Sequence, residues 1–168
     1  MVDGIYHVRN HGCLTINDVF KLEVISNKKF DLVQRVLLVD LGNTQQLLEV
    51  MHRTKSTIRV IEQNEEKNII TRKSRIISST NHILAFADSK IYCKKIPLQM
   101  LSEIRECKRG IGKIALYHKL EIFKKITEIG YVDGLHIFKK YSLYHKGKVI
   151  CRINEFFPVK KNKVTRTQ

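Results

Sequence analysis

Residues 137–158 read IFKKYSLYHKGKVICRINEFFP, and the fold turns on this stretch. Tyr141 and Leu143, then Val149, Cys151 and Ile153, alternate with polar or basic neighbours, as in a half-buried strand. Lys146-Gly147-Lys148 between the two runs supplies a turn glycine. A β-hairpin is expected. Its second arm carries one acid, Glu155, among Ile153, Phe156, Phe157 and Pro158. A carboxylate is expensive to bury in apolar surroundings. Glu155 therefore either faces solvent or serves a site.

Upstream of the hairpin, residues 116–129 carry Leu120, Phe123, Ile126 and Ile129 in helical step, with Gly130 as a stop, so a helix is predicted there. A short helix over 97–104 starts near Pro97. Gly110-Ile111-Gly112 gives backbone freedom or close approach but has no phosphate-loop context. Residues 56–61, 69–77 and 83–93 read as strands, with a polar connection at 63–68 and a turn near Thr80-Asn81. On the third strand Ile83, Ala85, Ala87, Ser89 and Ile91 share one face. Residues 30–51 read as two helices broken at Gly42-Asn43, with Asn43 or Thr44 capping the second. Thr15 to Asp18 can cap a short helix, and the rest of the first 30 residues is weakly patterned. This order predicts an α+β fold: an antiparallel sheet with flanking helices on one face. It predicts one domain over 1–158 and a disordered basic tail over 159–168.

The composition narrows the classes. No apolar run approaches the ~20 residues of a membrane span, and the N-terminus lacks the apolar core of a signal peptide. The four cysteines form no CxxC pair and stand at no zinc-ligand spacing with histidine. Free thiols in a reducing compartment and no metal site are expected. The net charge of +15, from 31 Lys+Arg against 16 Asp+Glu, favours an anionic ligand. The basic doublets are dispersed, and much of the Lys, Ile and Asn content matches A/T-rich codons.

Taken in order, several blocks resemble a known family, the chorismate pyruvate-lyases (4-hydroxybenzoate synthases), and within it the cyanobacterial and red-algal plastid branch. LLVDLGNTQQLLE (37–49) looks like the family's helix pair with its threonine turn. SRII (74–77) falls where the family has a strand with a buried arginine, and ILAFADSKI (83–91) looks like the strand that follows. GIGKIAL (110–116) resembles the family's glycine turn into a helix, TEIG (127–130) stands where that helix ends, and CRINEFFP (151–158) resembles the terminal strand with its acid and proline. The match spans about residues 30 to 158. It implies a chorismate lyase-like fold, active as a monomer without cofactor or metal, with the ligand in a closed pocket. It implies that Arg75 holds the ring carboxylate and that Glu155 is the acid at the ring's 4-position. Thr44, Ala87, Ser89, Ile111 and Gly112 would line the pocket around chorismate or 4-hydroxybenzoate. Together with the composition it implies a plastid-encoded stromal protein, with a cytoplasmic one as the alternative.

The chemistry suits these residue types. Loss of pyruvate makes the ring of chorismate aromatic, so no cofactor or covalent nucleophile is required. An enzyme need only orient the substrate and neutralise charge in a dry cavity. Arginine meets a carboxylate bidentately and stays charged, and a carboxylic acid near the breaking C–O bond can pass a proton. One position departs from the family. Its second basic residue is Ser89 here, and Lys90, one residue on, belongs to the opposite face of the strand. Two other functions compete: a non-catalytic sensor of small aromatic ligands with the same fold, and a basic RNA-binding protein. The sensor calls for a DNA-binding helix-turn-helix, for which residues 1–30 are too short. RNA binding calls for aromatics interleaved with cations on one strand face, and Tyr141 and Tyr144 fall on opposite faces. Nucleic acid is accordingly not the expected partner. An arginine on a strand of so basic a chain is otherwise an ordinary surface residue.

Overall fold

A computed structural model describes residues 4–10 and 14–159 of the chain. Cys13 and the basic tail beyond Val159 lie outside the described residues. The elements run β1 (Ile5–Arg9), α1 (Ile16–Ser26), α2 (Leu32–Val39), α3 (Thr44–His52), β2 (Ser56–Glu66), β3 (Ile69–Ser78), β4 (Ile83–Tyr92), a 3-10 turn (Cys93–Lys95), α4 (Leu98–Arg105), α5 (Ile111–Tyr117), β5 (Phe123–Val132), β6 (His136–His145) and β7 (Lys148–Pro158). All strands join one antiparallel sheet in the order β1-β5-β6-β7-β4-β3-β2. The expected α+β class holds.

The closing hairpin is β6–β7, and β7 is the central strand of the seven. Lys146 and Gly147, both at positive φ, make its two-residue turn, while Lys148 already pairs with His145. That is the turn whose twist matches the flanking strands. Lys67 and Asn68 repeat the device between β2 and β3. The predicted connection over 63–68 is therefore mostly strand. Its polar residues do not mark a loop, because β2 is an edge strand whose outer half faces water.

The predicted helix over 116–129 is not formed: α5 ends at Tyr117, a turn follows, and β5 begins at Phe123. A bulge explains the misleading period. Pairing with β6 shifts between Ile126 and Glu128, so Thr127 is an extra residue. Ile126 and Ile129 thus both point to the core at a spacing of three, which imitates a helix. Gly130 does not stop a helix either. It pairs with Phe138, and a Cβ there would strike the Phe138 ring and lie 2.7 Å from the Tyr6 carbonyl oxygen.

Each helix buries apolar side chains against one sheet face, among them Val19 and Leu22 of α1, Leu38 of α2, Leu48 of α3, Ile104 of α4 and Ile114 of α5. The sheet answers with Ile70, Ala85, Ile129, Ile137 and Phe157. Among the described residues the opposite face carries no helix. No helix among the described residues is long and apolar enough to cross a membrane.

Candidate functional site

A cavity of about 270 Å³ lies between the inner sheet face and the ends of α3 and α5. Thr44 reaches it from the start of α3, Ile111 and Gly112 from the start of α5, Ala87 and Ser89 from β4, and Glu155 from β7. These candidates thus meet at one place. Arg75 does not join them. It pairs with Phe86 across β3–β4 and turns to the outer face, its guanidinium carbon 6.0 Å from the Phe86 ring centroid. Strand parity is the reason: Ser74 and Ile76 line the cavity, so the residue between them must point away.

The cavity arginine is Arg72, on the inward parity with Ser74 and Ile76 and opposite Ser89. It is 3 % exposed. Its Nε donates to Gln63 Oε1 at 2.7 Å, and its Nη atoms donate to the Arg109 carbonyl at 3.2 Å and to the Ile104 carbonyl. All three acceptors are neutral. No carboxylate among the described residues lies within ion-pair distance of it, and burial pushes its guanidinium pKa down from the ordinary value. A buried cation with neutral partners keeps an unmet demand for negative charge.

Across the cavity, Glu155 is 6 % exposed. Tyr141 donates its hydroxyl to Oε1 at 2.7 Å and Thr44 donates to Oε2 at 2.9 Å. Burial, then the neighbouring Glu155 charge, holds the Tyr141 hydroxyl well above its ordinary pKa, so it stays a donor. Lys139, fully buried beside Glu155 on β6, places Nζ 3.6 Å from both Glu155 Oε2 and Asp40 Oδ2. Lys124 of β5 lies 3.7 Å from Asp40 Oδ2 and donates to the Gly42 carbonyl. Burial and repulsion from Lys139 lower Lys124 to about 8, against the pull of Glu155 and Asp40. Arg72, Lys124 and Lys139 together face Asp40 and Glu155, which leaves one cation in excess.

Two more wall groups lack partners. Asn43 Nδ2 and Gln45 Oε1 are buried without a hydrogen bond, although the Asn43 Oδ1 caps α3 by accepting from the Gln45 and Gln46 amides. They face the glycine segment: a Cβ on Gly112 would stand 3.0 Å from Asn43 Nδ2, and one on Gly110 3.8 Å from Gln45 Oε1. An orphaned buried donor and acceptor each cost about 1–3 kcal/mol. Among the described residues no cluster of His, Cys, Asp and Glu is arranged to hold a metal.

Sequence reasoning missed Arg72, Lys124, Lys139 and Asp40. Isoleucines at 69, 70, 76 and 77 populate both faces of β3, so alternation does not single out the inward arginine. The misread helix hid Lys124. Lys139 and Lys140 are adjacent, and only the register decides which one turns in. Compared with known proteins, the chain matches no family model and no curated protein.

Proposed function

We propose that this chain is a chorismate lyase, which eliminates pyruvate from chorismate to give 4-hydroxybenzoate. The buried Arg72, which faces a mainly apolar cavity and has no carboxylate partner among the described residues, carries this reading. It supplies the fixed charge that a ring carboxylate needs, and it takes the role that the family resemblance assigned to Arg75. Lys124 offers a second cation from the other side of the cavity, where Ser89 offers none. In this reading Glu155, which contacts Tyr141, Thr44 and Lys139, takes the proton from ring carbon 4 as the ether C–O bond at carbon 3 breaks. Returned to the methylene carbon of the departing enolpyruvate, that proton completes pyruvate. The ring becomes aromatic, so orientation and charge neutralisation suffice. In this reading the protein acts as a monomer, and its Lys-, Ile- and Asn-rich composition supports a plastid stroma.

Ser89 also favours a second reading, a pocket that binds an aromatic carboxylate without turnover. Incubation with chorismate, with both products followed by chromatography, separates the two. Stoichiometric 4-hydroxybenzoate and pyruvate, lost in Arg72→Ala, is the expected result. Absence of turnover together with thermal stabilisation by 4-hydroxybenzoate would leave only the binding pocket. Neither turnover nor stabilisation would sink both.

A further inference from the structure

The helix-free sheet face has an order of its own. One row of side chains crosses it from β2 to β6 as Arg59, Arg75, Phe86, Phe156 and Phe138. The next row runs Glu62, Lys73, Asp88, Asn154 and Lys140, and a third runs Asn64, Thr71, Lys90, Arg152 and Ser142. The middle row is neutralised on the sheet itself: Lys73 meets Glu62 at 2.9 Å and Lys140 meets Glu128 at 2.7 Å. The outer two rows are not. Arg59 stands directly opposite Arg75, and Lys90 directly opposite Arg152. Like charges in register across two strands are destabilising, yet no carboxylate among the described residues pairs with any of these four. Four residues of strand, about 13 Å, separate the two rows. Phe86, 38 % exposed, offers a ring beside the Arg75 guanidinium, and Phe156, His136 and Phe138 pack behind it with centroids 5.2–6.3 Å apart.

We infer that this face binds single-stranded nucleic acid, with a base on Phe86 and Arg75 and phosphates on the Arg59 and Lys90–Arg152 rows. Aromatic and guanidinium planes between cations are what unpaired bases and their backbone require. The platform runs across strands rather than along one, so no single strand of the sequence displays it. A continuous anionic surface such as a membrane would also press on Glu62 and Asp88 in the middle row, whereas a nucleic-acid strand brings charge only at its phosphates.

Fluorescence anisotropy with a labelled oligouridylate of about 12 residues tests this. Binding is expected at low salt, with log affinity falling against log salt at a slope of about −2 for three phosphate contacts. Arg59→Glu with Arg152→Glu should weaken binding at least tenfold while the melting temperature and chorismate turnover stay put. Phe86→Ala should weaken it about tenfold and leave the salt slope unchanged, since stacking is not ionic. Absence of binding, unchanged affinity in the double variant, equal affinity for a duplex of the same length, or binding to phosphatidylserine vesicles in place of the oligonucleotide would each overturn the inference.

Discussion

Arg72 and Arg75 are three residues apart on one strand, and that odd separation gives them opposite surroundings. Arg72 is buried against carbonyl and amide oxygens; Arg75 lies half-buried over a phenylalanine and faces another arginine. Substituting the two separately distinguishes their roles. Arg72→Ala should cost at least tenfold in affinity for 4-hydroxybenzoate, since a charge-assisted hydrogen bond contributes about 1.5–3 kcal/mol. Arg75→Ala should leave that affinity within about twofold. Titration calorimetry on both variants checks this, and the reverse ranking would return the anchor to Arg75. Glu155 is a matching case on β7. Glu155→Gln keeps the shape and can still accept from one of the Thr44 and Tyr141 hydroxyls, but it removes the proton acceptor. Chorismate turnover should fall at least a hundredfold with ligand affinity nearly kept; unchanged turnover would exclude Glu155 from the chemistry. Of these residues Glu155 stood out in the sequence as an acid in an apolar strand end that either faces solvent or serves a site, and the family resemblance supplied its role. Arg72 did not stand out, because the isoleucines flanking it serve both faces.

At the level of elements, β5 shows how a bulge disguises a strand. Thr127 shifts the phase, so two inward isoleucines take a helical spacing that local pattern cannot distinguish from a true helix. The same strand needs Gly130, where β1 and Phe138 close in from both sides. Gly130→Ala should destabilise the protein by about 1–3 kcal/mol, the cost of forcing volume into a packed site. Urea unfolding measures this, and an unchanged midpoint would show that the Phe138 ring yields freely. The cavity wall depends on α3 in a similar way. Its Asn43 cap sets the helix start that delivers Thr44 to Glu155. Gly42-Asn43 as a break and cap was readable from residue type alone. Its destination beneath β7 was not.

Across the whole molecule, charge is divided by environment. On the outer face Arg59, Lys90 and Arg152 are exposed to water, while Lys124 and Lys139 are buried between Asp40 and Glu155. Lys139→Met should cost about 3–5 kcal/mol, because it leaves two carboxylates with one fewer cation in a dry site. Lys124 gives a pH dependence whose sign is fixed. Its folded pKa of about 8 lies below the ordinary 10.5. Between these values the unfolded chain binds more protons than the folded one, so the stability due to this residue rises with pH. The gap in unfolding free energy between wild type and Lys124→Met should therefore widen in favour of wild type from pH 8 to 10. A constant gap would show that Lys124 is not depressed in the fold.

The residues by themselves determined the class of the fold, the closing hairpin with its glycine turn, and the helix break at Gly42-Asn43, and they marked one acid on the last strand that either faces solvent or serves a site. These are local matters of backbone preference and of the burial cost of single side chains. Only the tertiary structure decided which arginine faces the cavity, which lysines are buried with Glu155, and that residues 123–132 form a strand. Those outcomes depend on the register between strands distant in sequence. A shift of one residue exchanges the two faces of a strand, and no local pattern records where a bulge takes up that shift.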